Sequence, residues 1–286
     1  MKRIILFLLL ALAVPGFAQT APAPHQHSSL LRAKDAAFHS VSLDRDMKYR
    51  ILLPRGYEAT SARFPVLYLL HGLYGNYQNW DTLTDLERYT ENLPLIIVMP
   101  DAGDSWYTNS ASDPKDKFED YISKDLIAEI DGKYRTIRAR QSRAVAGLSM
   151  GGYAAIKLAL KYPDQFIVAG SLSGALDAGR DLDARVAQFR DQLLRVFGSR
   201  ETQTRKDNDV FRLVEDLDPA RLPYLYLACG EQDDTFLPVN REFVGKLSAR
   251  KIAYEYHETA GAHAWDYWDR SLRVMLPVLA EKLGMK

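Results

Sequence analysis

The stretch Gly147-Leu148-Ser149-Met150-Gly151-Gly152 leaves this chain few folds to choose from. Before it lies Arg143-Ala144-Val145-Ala146, short, apolar and suited to a strand. After it, Tyr153, Ile156 and Leu160 recur at helical spacing. A serine with glycines two residues to either side, set between a strand and a helix, is the pattern of a nucleophile elbow. The turn forces the serine into a strained backbone conformation, and neighbouring Cβ atoms would collide with it, hence the glycines. The serine hydroxyl is thereby held clear of the sheet at a helix N-terminus, whose partial positive charge suits a developing oxyanion.

The chain around this turn reads as strands alternating with helices. A hairpin is expected over 37–54, turning at Asp44-Arg45-Asp46, because Val41, Leu43, Tyr49, Ile51 and Leu53 alternate with polar residues. Val66–Leu70 and Leu95–Met99 are continuous apolar runs of the kind found in buried parallel strands. Further strands are expected over 165–172, 224–229 and 252–257, and helices over 79–91, 235–250 and 266–283. Phe118, Ile122, Leu126, Ile130 and Tyr134 recur every fourth residue, which predicts an amphipathic helix over 118–134. The pattern is that of an α/β fold, a mostly parallel sheet flanked by helices, with an antiparallel hairpin at its start. The charge-rich stretch 175–222 is read as a helical insertion near the mouth of the site, with a solvated connecting helix as the alternative.

The N-terminus falls outside this pattern. Lys2 and Arg3 precede the apolar run Ile4–Val14, and Pro15-Gly16-Phe17-Ala18 offers small residues for cleavage after Ala18. Residues 1–18 are therefore expected to be a secretory signal peptide, the apolar run being too short for a membrane span. Residues 19–36 read as a disordered leader, and 37–286 as one catalytic domain. The roughly 255 residues beyond the leader suit a single large domain. Its charge is nearly balanced, 37 acidic residues against a basic count that drops from 37 to 35 with the signal peptide. Such a balance recruits neither nucleic acid nor an anionic membrane. The single cysteine, Cys229, excludes an intramolecular disulfide and sits in an apolar strand, where it reads as a small buried hydrophobe.

A serine hydroxyl is a poor nucleophile near neutral pH and needs an adjacent base. The strand 224–229 runs into Gly230-Glu231-Gln232-Asp233-Asp234, and the strand 252–257 into Glu258-Thr259-Ala260-Gly261-Ala262-His263. Residues just past the C-terminal ends of parallel strands gather at one edge of the sheet. His263 is accordingly the expected base and Asp233 its orienting carboxylate, with Asp234 the second choice. The oxyanion donors are expected to be the backbone N–H groups of Met150 and Leu73. His71 lies next to the site as a loop organiser or substrate contact, and His257 reads as structural. Trp106-Tyr107 is the expected aromatic substrate wall, whereas Trp265 and Trp268 read as core. No His, Cys and carboxylate spacing suggests a metal or other cofactor.

Together these stretches resemble the esterase D / antigen 85-like branch of the α/β-hydrolases, which includes feruloyl, acetyl-xylan and tributyrin esterases, S-formylglutathione hydrolases and mycolyltransferases. The resemblance is carried by Leu70-His71-Gly72-Leu73-Tyr74-Gly75-Asn76, Met99-Pro100-Asp101, Ser105-Trp106-Tyr107-Thr108-Asn109, Asp125-Leu126-Ile127, Arg143 through Tyr153, Cys229 through Asp233, and Gly261-Ala262-His263-Ala264-Trp265. It implies a triad of Ser149, Asp233 and His263 with an oxyanion hole from Leu73 and Met150. The expected activity is hydrolysis of a small-molecule or polysaccharide ester through an acyl-enzyme, by a secreted or periplasmic protein. Two alternatives stand beside it: transfer of the acyl group to a sugar, and a non-catalytic carbohydrate- or partner-binding module.

Overall fold

A computed structural model describes residues 32–180 and 189–285. The expected signal peptide, most of the leader, and Leu182 and Val186 of the insertion lie outside the described residues. Eight strands form one sheet: β1 (Ala33–Ser40), β2 (Arg45–Leu52), β3 (Val66–Leu70), β4 (Ile96–Pro100), β5 (Arg143–Leu148), β6 (Val168–Leu172), β7 (Tyr224–Gly230) and β8 (Tyr254–Thr259). Their order is β1-β2-β4-β3-β5-β6-β7-β8. The β1–β2 and β2–β4 pairs are antiparallel, and the pairs from β4 through β8 are parallel.

The helices are α1 (Asn79–Thr82), α2 (Leu86–Tyr89), α3 (Phe118–Asp120), α4 (Ile127–Lys133), α5 (Met150–Lys161), α6 (Arg190–Phe197), α7 (Gln203–Lys206), α8 (Val210–Asp216), α9 (Leu237–Ala249) and α10 (Trp265–Lys282). They cover both faces of the sheet. Alternate residues of one strand feed opposite cores: Val66, Tyr68 and Leu70 pack into one cluster, Leu67 and Leu69 into the other. Burial on both sides explains why β3 and β4 are apolar throughout.

Four expectations are corrected. First, β1 begins at Ala33, inside the stretch read as leader. Its pairing with Leu52 and the Arg32 hydrogen bonds to Glu87 tie that segment to the domain. Second, the helix expected over 79–91 is two short helices. The Thr84 hydroxyl bonds the Trp80 carbonyl, and the Asp85 N–H donates to Asp269 at 2.8 Å, so side chains take over backbone partners at the break. Third, the helix over 118–134 contains a π-helical turn at Tyr121–Leu126 between α3 and α4. A strict four-residue repeat drifts by about 40° per step on a 3.6-residue helix, and the wider turn takes up part of that drift. Fourth, the last strand is Tyr254–Thr259, two residues later than expected. Its register follows β7, which pairs Leu225 with Tyr254 and Gly230 with Thr259.

The described parts of the insertion include α6, α7 and α8 and are held together by Arg205, which is 2% exposed. Its guanidinium donates to the carbonyls of Ala178, Leu193 and Gly198. Cys229 is a free thiol and fully buried, as its apolar strand requires.

Candidate active site

Ser149 stands between β5 and α5 with φ 51° and ψ −116°, a conformation that non-glycine residues rarely adopt. Its own N–H donates to Leu172 on β6, and its carbonyl accepts from Tyr153 and Ala175. The strain is thus held on both sides of the residue. A Cβ on Gly151 would lie 2.5 Å from the Leu70 carbonyl oxygen and 2.6 Å from that of His71. One on Gly147 would lie 2.5 Å from the Gly151 backbone. The glycines are required by the closeness of β3 and the first turn of α5.

The loops after β7 and β8 are sewn together. Glu231 N–H donates to Thr259, Gln232 N–H to Gly261, and Gly261 N–H to the Gln232 side chain. This brings Asp233 and His263, 30 residues apart in sequence, into contact. His263 Nδ1 lies 2.8 Å from Asp233 Oδ2, and Nε2 lies 3.0 Å from Ser149 Oγ. The other Asp233 oxygen accepts the Phe236 N–H at 3.1 Å. Burial pushes the Asp233 carboxyl up, but the His263 hydrogen bond and charge, the Phe236 N–H and Ser173 together hold it below the ordinary aspartate value. Asp234 faces solvent.

Two aromatic rings fix the imidazole. Phe236 lies 4.8 Å from the His263 ring, and Trp268 meets it edge-on at 4.9 Å. Trp265 packs edge-on against both Trp268 and Trp80. Sequence reading missed Phe236: it sits on the N-terminal flank of α9, and only its position three residues after Asp233 hinted at it.

The loop after β3 passes beside the nucleophile. A Cβ on Gly72 would lie 3.5 Å from Ser149 Cβ, which places the Gly72-Leu73 backbone next to the serine. The Met150 N–H belongs to the first turn of α5, where helix donors have no intrahelical partner. His71, 1% exposed, is a loop organiser. Its Nδ1 bonds the Gly72 carbonyl at 2.8 Å, and its Nε2 accepts the Ala102 N–H at 3.1 Å, which describes a neutral ring. Burial holds it below the usual imidazole range, against the pull of the Gly72 carbonyl and of Asp101 and Asp104.

Trp106 and Tyr107 do not form the expected substrate wall. They are 1% and 0% exposed. The Trp106 ring packs between Tyr153 and Phe197, and the Tyr107 hydroxyl donates to the His71 carbonyl at 3.1 Å. The aromatic that does face solvent beside this loop is Tyr74, 75% exposed. Its φ of 60° is held by an N–H bond to Asp104 at 2.7 Å.

Among the described residues, no group of three His, Cys, Asp or Glu side chains is placed to hold a metal ion. Among the same residues, no helix is long and apolar enough to cross a membrane.

Comparison with known proteins adds four findings. The model of the Esterase family matches residues 40–279. An acetyl esterase of Caldicellulosiruptor saccharolyticus is 30% identical over 220 residues, covering 74% of this chain and 82% of that protein. The diacylglycerol acyltransferase/mycolyltransferase Ag85A of Mycobacterium leprae is 28% identical, covering 95% of this chain and 90% of its own length. Among solved structures, the substrate-bound FphF of Staphylococcus aureus, described as a fluorophosphonate-binding serine hydrolase, superposes with a TM-score of 0.77. It is 25% identical and covers 88% of this chain and 98% of that one.

Proposed function

The chain belongs to the Esterase family and is a hydrolase of carboxylic esters; on that premise we propose that it is an exported serine esterase acting through an acyl-enzyme on small esters of the acetylated-carbohydrate type. One observation carries the reading: an unbroken hydrogen-bonded line from Ser149 through His263 to a buried carboxylate. His263 Nε2 takes the Ser149 proton as Oγ attacks the ester carbonyl. The negative charge that develops on the carbonyl oxygen is met by the N–H groups of Met150 and Leu73. Collapse expels the alcohol, which receives the proton back from His263, and water then repeats the sequence to release the acid. Asp233 keeps the proton on Nδ1 and stabilises the imidazolium. Similarity to an acetyl esterase supports a short acyl group, and the exposed ring of Tyr74, next in sequence to Leu73, supports a sugar contact.

Ser149→Ala should abolish p-nitrophenyl acetate hydrolysis in a protein with unchanged circular dichroism. Turnover within tenfold of wild type would overturn the assignment. A second reading, transfer of the acyl group to a sugar hydroxyl instead of water, is favoured by the near full-length similarity to Ag85A. Chromatography of products formed with a sugar acceptor present separates the two.

A further inference from the structure

Lys157 lies two helical turns beyond Ser149 on α5, is fully buried, and has no part in the chemistry above. A buried ammonium persists only where it is paired and hydrogen-bonded. Its Nζ lies 3.0 Å from Glu119 Oε2, donates to the Tyr107 carbonyl at 2.6 Å, and donates to Thr108 Oγ1 at 2.7 Å. Glu119 also receives Lys161 at 2.6 Å and the Tyr162 hydroxyl at 2.9 Å. Burial pushes Glu119 up, but Lys157 and Lys161 hold it down to about 2. Burial draws Lys157 to about 8 against the pull of the same carboxylate, so it keeps its charge near neutral pH.

The segment it grips is strained. Trp106 and Tyr107 have φ of 55° and 52°, two consecutive bulky residues in the left-handed region. Such a pair persists only when the surroundings over-determine it. From this segment the Tyr107 hydroxyl reaches the His71 carbonyl, and earlier in the same loop the Ala102 N–H reaches the His71 ring. Those two contacts fix the peptide that leads into Gly72-Leu73. We infer that Lys157 is a positioning residue for the oxyanion loop, acting through the strained Trp106-Tyr107 backbone and the Tyr107 hydroxyl. The inference rests on the reading of the Leu73 N–H as an oxyanion donor. Lys157 touches no substrate; its effect falls on the transition state because donor placement matters most there.

The test uses Lys157→Met, Tyr107→Phe and the double variant, each read by kcat, KM and the inhibition constant of an aliphatic trifluoromethyl ketone, which presents an oxyanion once Ser149 adds to it. Both single variants should lower kcat and weaken the ketone by about tenfold while KM moves less than about threefold. The double variant should be no worse than the poorer single one, because both act along one path. Lower thermal stability with kcat and ketone affinity within twofold of wild type would mean a merely structural role and overturn the inference. Additive losses in the double variant would overturn it too. If Lys157→Met does not fold, Tyr107→Phe decides by the same two readouts. Ser149→Ala separates the layers: if it is inactive and Lys157→Met is unaltered, this inference fails while the serine-esterase reading stands, and if it is active that reading fails as well.

Discussion

The Asp233 carboxylate sets Oδ2 2.8 Å from His263 Nδ1 and accepts the Phe236 N–H on Oδ1 at 3.1 Å. The arrangement locks the carboxylate plane and, through it, the imidazole tautomer. Asp233→Asn keeps the shape but offers His263 the wrong hydrogen-bond pattern. It should lower kcat for p-nitrophenyl acetate by about ten-thousandfold with the fold intact. A loss below tenfold would point to another acid.

The same carboxyl makes stability depend on pH. Its value in the fold lies below the ordinary one, so the unfolded chain takes up the proton first as pH falls. The stabilisation is therefore complete above about pH 4 and is lost as pH drops through the lower, folded value. Urea midpoints measured from pH 6 down to pH 3 should fall more steeply for wild type than for Asp233→Asn. Parallel curves would contradict the coupling.

Gly151→Ala is expected to destabilise by about 2–3 kcal/mol. Its methyl group would meet the carbonyl oxygens of Leu70 and His71, both backbone atoms that cannot swing aside. Urea denaturation gives the loss directly, and an unchanged midpoint would show that the elbow is looser than described.

The fold was legible because periodicity reports on burial. Two-sided burial wrote β3 and β4 as apolar runs, and the elbow tied them to β5. Asp233 and His263 were legible because parallel strands deliver their C-terminal loops to one edge, so position after a strand stood in for distance. What sequence could not reveal were contacts set by tertiary packing. The break near Thr84, where Asp85 N–H is taken by Asp269, and the support of His263 by Phe236 depend on partners far along the chain. Trp106 and Tyr107 illustrate the same limit. Two rings after a strand look like a wall, but only the fold tells that Tyr153 and Phe197 cover one and His71 takes the hydroxyl of the other.

Tyr74 is exposed and follows Leu73 directly in sequence, and it is the ring proposed to meet a sugar in place of Trp106 and Tyr107. Tyr74→Ala removes an exposed ring without opening the core. It should raise KM for an acetylated sugar several-fold, leave KM for p-nitrophenyl acetate within about twofold, and leave thermal stability unchanged. Equal effects on both substrates would argue against a sugar-facing role.

Arg205 ties three parts of the insertion to one another through the carbonyl groups of Ala178, Leu193 and Gly198. Arg205→Met leaves those buried acceptors without their donor and should destabilise by about 3 kcal/mol. Limited proteolysis should then cut first within 189–216. A cleavage pattern identical to wild type would mean that the segment is held by its apolar contacts alone.

The central claim is that Ser149, deprotonated by His263, carries the acyl group between its two owners. Rapid acid quench of the enzyme with p-nitrophenyl acetate, followed by peptide mass spectrometry, tests it most directly. One acetyl group should appear on the peptide that contains Ser149, and none should form in Ser149→Ala or at a comparable rate in His263→Ala. Acetylation at another residue, or full turnover with His263 removed, would contradict the account.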